Sequence, residues 1–210
     1  MRHILVVAGL IACVTSSGTA IGAPTRIGRD GFAVTSGVVR ILPDARLRIE
    51  GPEVRAVLRH RTAPAAAIRF RYLGPTAATK PLASGEVRRQ IGLKLRAQDT
   101  CNLVYVMWHI EPDARIAVSI KRNPGQRTHV ECGAHGYVTI RPQWSAPVAA
   151  VRAGSAHTLR AVLQAETLAV WADGLLAWEG SLPPKLLDFD GPVGLRTDNA
   201  AFELEFFVDE

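Results

Sequence analysis

Along most of the chain apolar and polar residues alternate with a period of two. The runs are short, are separated by Gly, Pro, Asn and Asp, and carry no sustained helical period. This pattern predicts strands near 32–41, 45–50, 54–59, 67–73, 90–97, 102–110, 115–121, 136–141, 157–164, 167–173, 175–179, 192–196 and 201–208. So many short strands in a chain of 210 residues imply an all-β fold, a two-sheet antiparallel β-sandwich, and their number favours a jelly roll over an immunoglobulin-like arrangement.

One run breaks the alternation. Residues 101–110, CNLVYVMWHI, are apolar or aromatic on both parities. Val104, Val106, Trp108 and Ile110 suit an inter-sheet core, whereas Leu103, Tyr105, Met107 and His109 mix aromatic, thioether and imidazole groups on the other face. Such a strand is either covered on both sides or forms the floor of a ligand groove. Tyr and His can pack on a sugar's C–H face and hydrogen-bond its hydroxyls. Tyr105 and His109, with Gln90 and Arg89 from the preceding strand, are therefore candidate ligand-binding residues. If the site were catalytic, His109 and Glu111 would be the local acid–base candidates. The competing expectation is a second core layer, with a loop or the N-terminal segment lying over this face.

The amino-terminal stretch MRHILVVAGLIACVTSSGTAIGAP has a basic start, an apolar run too short to span a bilayer, and small residues after it. It reads as a signal peptide covering residues 1–20, which leaves residues 21–210 as one β-sandwich domain. A second reading takes Leu10 to Cys13 as a lipobox-like sequence, with Cys13 lipidated as a membrane anchor. No later apolar stretch is long enough to be an integral membrane segment. With Cys13 set apart, Cys101 and Cys132 remain, an even pair expected to form a disulfide in an exported protein.

The formal charge of +6 comes mainly from arginine, since Lys80, Lys94, Lys121 and Lys185 are the only lysines among 25 basic residues. The basic residues alternate with apolar ones: Arg46 and Arg48, Arg69 and Arg71, Lys94 and Arg96. That spacing predicts solvated sheet faces, with a stripe for anionic polymer, as in a structural envelope protein, as the alternative. No RNP, helix-turn-helix or zinc-finger pattern points to nucleic acid.

In the second half, HTLRAVL, TLAVWADGLLAWEG and GPVGLRTDNAAFELEFF read as strands joined by tight turns, with Asp173-Gly174 the strongest hairpin signal. Residues 157–208 resemble the closing strands of concanavalin A-like lectin/glucanase sandwiches, in particular laminin-G-like and 3-keto-glycoside hydrolase-type domains. The resemblance implies a jelly roll and a carbohydrate or cell-surface polymer as ligand, with hydrolysis of glycosides as the alternative activity.

Laminarinase-like members of that fold need two carboxylates flanking one glycosidic bond. Glu203 and Glu205 share a face, but they lack the intervening acidic residue and are expected to be solvated residues of an edge strand. His129, Glu131 and His135 surround Cys132 without a zinc spacing. No cofactor is expected, apart from a possible structural calcium at Asp188, Asp190 and Asp198. Neither a G-x-S-x-G elbow nor a phosphate loop is present.

Overall fold

The computed structural model describes residues 23–59 and 61–209. The signal-peptide cleavage region and Cys13 lie outside the described residues. The larger sheet contains β1 (Thr25–Ile27), β3 (Arg40–Ile41), β4 (Leu47–Ile49), β6 (Ala65–Pro75), β11 (Trp144–Ser145), β12 (Ala156–Gln164), β13 (Thr167–Ala172), β14 (Leu175–Ser181) and β16 (Ala200–Asp209). Its order is β11-β14-β13-β12-β6-β16-β4-β3, with β1 also on β16. The smaller sheet contains β2 (Phe32–Ser36), β5 (Glu53–Leu58), β7 (Arg89–Leu95), β8 (Leu103–Glu111), β9 (Arg115–Lys121), β10 (Tyr137–Ile140) and β15 (Gly194–Asp198). Its order is β10-β9-β8-β7-β15-β5-β2. All pairings are antiparallel, and the chain is a two-sheet jelly-roll β-sandwich.

Period-two patterning sets which residues meet between the sheets. On β16 the buried set is Ala200, Phe202, Leu204, Phe206 and Val208, and on β8 it is Val104, Val106, Trp108 and Ile110. Phe70 of β6 meets Trp108 of the opposite sheet edge-on, with ring centroids 5.7 Å apart, and meets Phe202 at 5.6 Å. Side chains of this size each contribute roughly 1.5–3 kcal/mol when removed from water.

The turns follow local chemistry. Asp173 and Gly174 have φ of 52° and 80°, which suits the two-residue turn whose twist matches a hairpin. Asn199 at φ 53° turns β15 into β16. The closing strand is not an edge, because β1 and β4 pair beyond it on the side away from β6. That corrects the expectation for Glu203 and Glu205: Arg46 and Arg48 hold Glu203, and Arg26 holds Glu205.

Cys101 and Cys132 form a disulfide, with Cα atoms 5.9 Å apart. It pins α1 (His129–Cys132), a single helical turn, beside the start of β8. The Thr128-x-x-Glu131 capping box starts that turn: Glu131 accepts from the Thr128 backbone N–H at 2.7 Å. Among the described residues, no helix is long and apolar enough to cross a membrane.

Candidate functional site

The outer face of the smaller sheet explains the doubly apolar strand. Leu103, Tyr105 and Met107 point away from the main core and form a small cluster with Ala97 and Val57. Register places Lys94 opposite Tyr105, Gly92 opposite Met107, and Gln90 opposite His109. Beyond β7, Arg196 and Asp198 of β15 lie opposite Gly92 and Gln90, with Arg55 and Glu53 of β5 next. On the other flank, Lys121 of β9 lies opposite Leu103, and Tyr137 of β10 opposite Lys121. Among the described residues the face is neither a bare groove nor a core beneath a covering segment. Long polar side chains of the sheet itself form a second layer over the apolar patch.

Asp198 is the anionic centre of that layer. It accepts from Arg55 Nη2 at 2.6 Å, Arg196 Nε at 2.8 Å and Gln90 Nε2 at 2.6 Å. Burial alone would push its carboxyl up, but the Arg196 and Arg55 guanidiniums outweigh burial and hold it below the usual range. Arg196 reaches over Tyr105, its guanidinium carbon 4.8 Å from the ring centroid. Burial pushes the Tyr105 phenol up to about 12. Tyr105 is only 6% exposed, and the 45%-exposed Tyr137 ring stacks on it.

Two of the four lysines belong to this layer. Lys121 donates to the carbonyls of Thr100 at 3.2 Å and Gly133 at 2.8 Å, and its ammonium lies 5.3 Å from the Tyr137 centroid. Lys94 is 4% exposed, and its ammonium has no hydrogen bond or ion pair among the described residues. Burial first, then the charges of Arg55 and Arg196, push it down to about 7. The sequence places Lys94 on a solvated face; the structure buries it, because β7 lies inside its sheet between β8 and β15.

Of the residues singled out from sequence, Tyr105, His109 and Gln90 share this face. His109 is neutral, pushed down to about 3 by burial and by Arg88 and Arg115. Its Nε2 lies 3.3 Å from Arg88 Nη1 and accepts from it, which leaves the ring proton on Nδ1. Neither that Nδ1 nor the adjacent Gln90 Oε1 has a partner among the described residues. Arg89 takes the parity of Ile91 and Leu93 instead, and it pairs with Glu111 across a bulge in the β7–β8 ladder. Asp188 is bound to Arg122 at 2.6 Å, Asp190 to the Gly191 N–H at 2.8 Å, and Asp198 is enclosed by guanidiniums. Those three carboxylates are not brought together, and no metal-holding group of three or more His, Cys, Asp or Glu exists among the described residues.

The outer face of the larger sheet carries a shallow groove of about 530 Å³ lined by Arg46, Arg69, Arg71, Glu203, Glu205 and Asp173, among others. Its charges are largely cross-paired, as a solvated face requires. At its rim, Ser155 Oγ lies 2.8 Å from His157 Nε2, and His157 Nδ1 lies 2.8 Å from Asp173 Oδ2. This is the spacing of a nucleophile relay, but Ser155 Oγ also donates to the Arg152 carbonyl at 2.5 Å within its own turn. The N–H groups of Gly154 and Ser155 are spent on Tyr72 and Arg152 carbonyls, so neither can stabilise an oxyanion. The trio braces a turn.

No family model and no curated protein sequence matches the chain. Solved structures do. A carbohydrate-binding module, CBM66 from Bacillus subtilis, superposes with a TM-score of 0.56 at 11% identity, over 83% of this chain and 91% of that one. The Crh5 transglycosylase in complex with NAG gives 0.52 at 12% identity, over 90% and 88%. The metal-free carbohydrate recognition domain of Emp46p gives 0.51 at 12%, over 85% and 87%. At these identities the likeness establishes the β-sandwich fold alone.

Proposed function

We propose that the protein is an exported, carbohydrate-binding β-sandwich that takes a glycan or cell-surface polymer over the outer face of the smaller sheet without catalysis. The observation that carries this reading is the half-exposed Tyr137 ring, stacked on buried Tyr105, whose cross-strand neighbour Lys94 has an ammonium with no acceptor among the described residues. A rigid aromatic platform next to hydrogen-bonding side chains is what a sugar's apolar face and hydroxyl rim require. Carbohydrate-binding and lectin-like neighbours of the same fold support it, and the disulfide accords with export. Anchoring through Cys13 is the alternative to free secretion.

The glycoside-hydrolase reading has weaker support. His109 is sealed and neutral, and Glu111 is committed to Arg89. The test is thermal-shift and calorimetric titration of residues 21–210 with neutral and acidic polysaccharides, alongside Tyr137→Ala. Stabilisation lost in a well-folded Tyr137→Ala variant supports the reading. Equal stabilisation of both proteins removes the platform, and no shift with any glycan removes the function.

A further inference from the structure

Resting on that reading, we propose that the bound glycan is acidic, with a carboxylate or sulfate group seated against the Lys94 ammonium, beside the Tyr105–Tyr137 stack and on the same face as Arg196. The argument starts from unfilled donors. Lys94 carries three N–H bonds, yet no described residue accepts from them. The residue keeps 4% of its surface exposed, so it is not wholly cut off from solvent. A nearly buried cation left in this condition is costly unless an anion completes it.

Local charge points the same way. Arg55 and Arg196 share a single carboxylate, Asp198, and Lys94 stands on the same face without one of its own. Glu53, the next carboxylate along β5, is taken by Lys80 at 2.6 Å and Ser36 at 2.9 Å. When Lys94 is protonated, Arg55, Arg196 and Lys94 carry two more positive charges than Asp198 offsets. A sugar hydroxyl can accept from Lys94 but brings no charge; an acidic group does both.

The placement fits an extended ligand. Lys94 lies beside Tyr105, and Tyr137 overlies Tyr105 with centroids 6.1 Å apart, so a ring stacked on Tyr137 is within one side chain of the ammonium. Gly92 has no room for a Cβ, which would lie 2.5 Å from Met107 Sδ and 2.3 Å from the Val106 carbonyl, so the Met107 side chain fills the next position along β7.

The test is titration calorimetry with four probes: oligogalacturonate, dextran sulfate, neutral galactan and polyglutamate. They are applied to the unaltered protein, Lys94→Met, Lys94→Gln and Tyr137→Ala. We expect one acidic glycan to bind, with affinity falling roughly ten- to hundredfold in both Lys94 variants, the range of a hydrogen bond to a charged group. Preference for oligogalacturonate assigns a carboxylate, and preference for dextran sulfate a sulfate. Galactan binding that both Lys94 variants preserve overturns the acidic assignment and leaves the carbohydrate reading standing. Polyglutamate binding equal to that of the acidic glycans and indifferent to Tyr137→Ala overturns the sugar. Absence of binding to every probe overturns both.

Discussion

Tyr137 lies flat on Tyr105, ring centroids 6.1 Å apart and planes 20° from parallel, so one tyrosine is core and the other is surface. Tyr105 is enclosed by Leu103, Met107 and the Arg196 guanidinium; Tyr137 sits on the edge strand β10. The two should therefore answer differently to truncation. Tyr105→Ala is expected to cost about 3–5 kcal/mol, the range for emptying a large aromatic site. Tyr137→Ala should cost about 0.5–1.5 kcal/mol, the worth of the stacking contact. Urea denaturation of both variants decides it, and near-equal losses would mean that Tyr105 is not the core member of the pair.

Lys94 opposes stability in the free protein. Its folded value of about 7 lies below the ordinary 10.5, with burial first and Arg55 and Arg196 next as causes. Tyr105 beside it is uncharged at neutral pH, and Asp198 and Glu53 offset the arginines only in part. Between pH 7 and 10.5 the unfolded chain binds more protons at this residue than the folded one, so its contribution to stability rises with pH across that window. Below pH 7 the penalty is complete, at most roughly 5 kcal/mol. Lys94→Met should accordingly raise the melting temperature most at pH 6 and least above pH 10. A variant melting lower than its parent at pH 6 would show that Lys94 is compensated in the fold.

The strands were legible because period two survives in nearly every run, and the Asp173-Gly174 turn because few residues tolerate two successive positive φ values. Short pairings such as β1, β3 and β11 carry too few residues to show a period. The helical turn at His129–Cys132 was signalled only by its capping box. The site was half visible. Tyr105, His109 and Gln90 follow from one strand and its neighbour, but Arg55, Arg196 and Tyr137 come from strands that sequence alone does not place beside β7 and β8. Lys94 has the same alternating context as Arg46 and Arg69. Only its position inside the smaller sheet separates a buried, unpaired cation from a solvated one.

Asp198 is the opposite case, a buried acid with two cationic partners. Asp198→Asn leaves Arg55, Arg196 and Lys94 facing one another with no counter-charge, and should cost about 3–5 kcal/mol. Its folded value lies below the ordinary 3.8, despite burial, because of Arg196 and Arg55. The stability it confers is therefore complete above the ordinary value and is lost as pH falls through the folded one. Denaturation series from pH 6 downward should show the parent approaching the variant only in acid. Parallel curves across that range would remove the ion pair as the cause.

The disulfide should matter to the site as well as to the fold. Closing a span of 31 positions between Cys101 and Cys132 stabilises by roughly 3 to 4 kcal/mol on loop entropy. The same link fixes Gly133, whose carbonyl accepts from Lys121, and Lys121 in turn lies against the Tyr137 ring. Replacing both cysteines by alanine should lower the denaturation midpoint. Well below that midpoint, it should also weaken glycan binding about as much as Lys121→Met does, because both changes free the platform at the same point. The two losses should not add when the substitutions are combined. Additive losses in a folded triple variant would place the disulfide's effect elsewhere than on Tyr137.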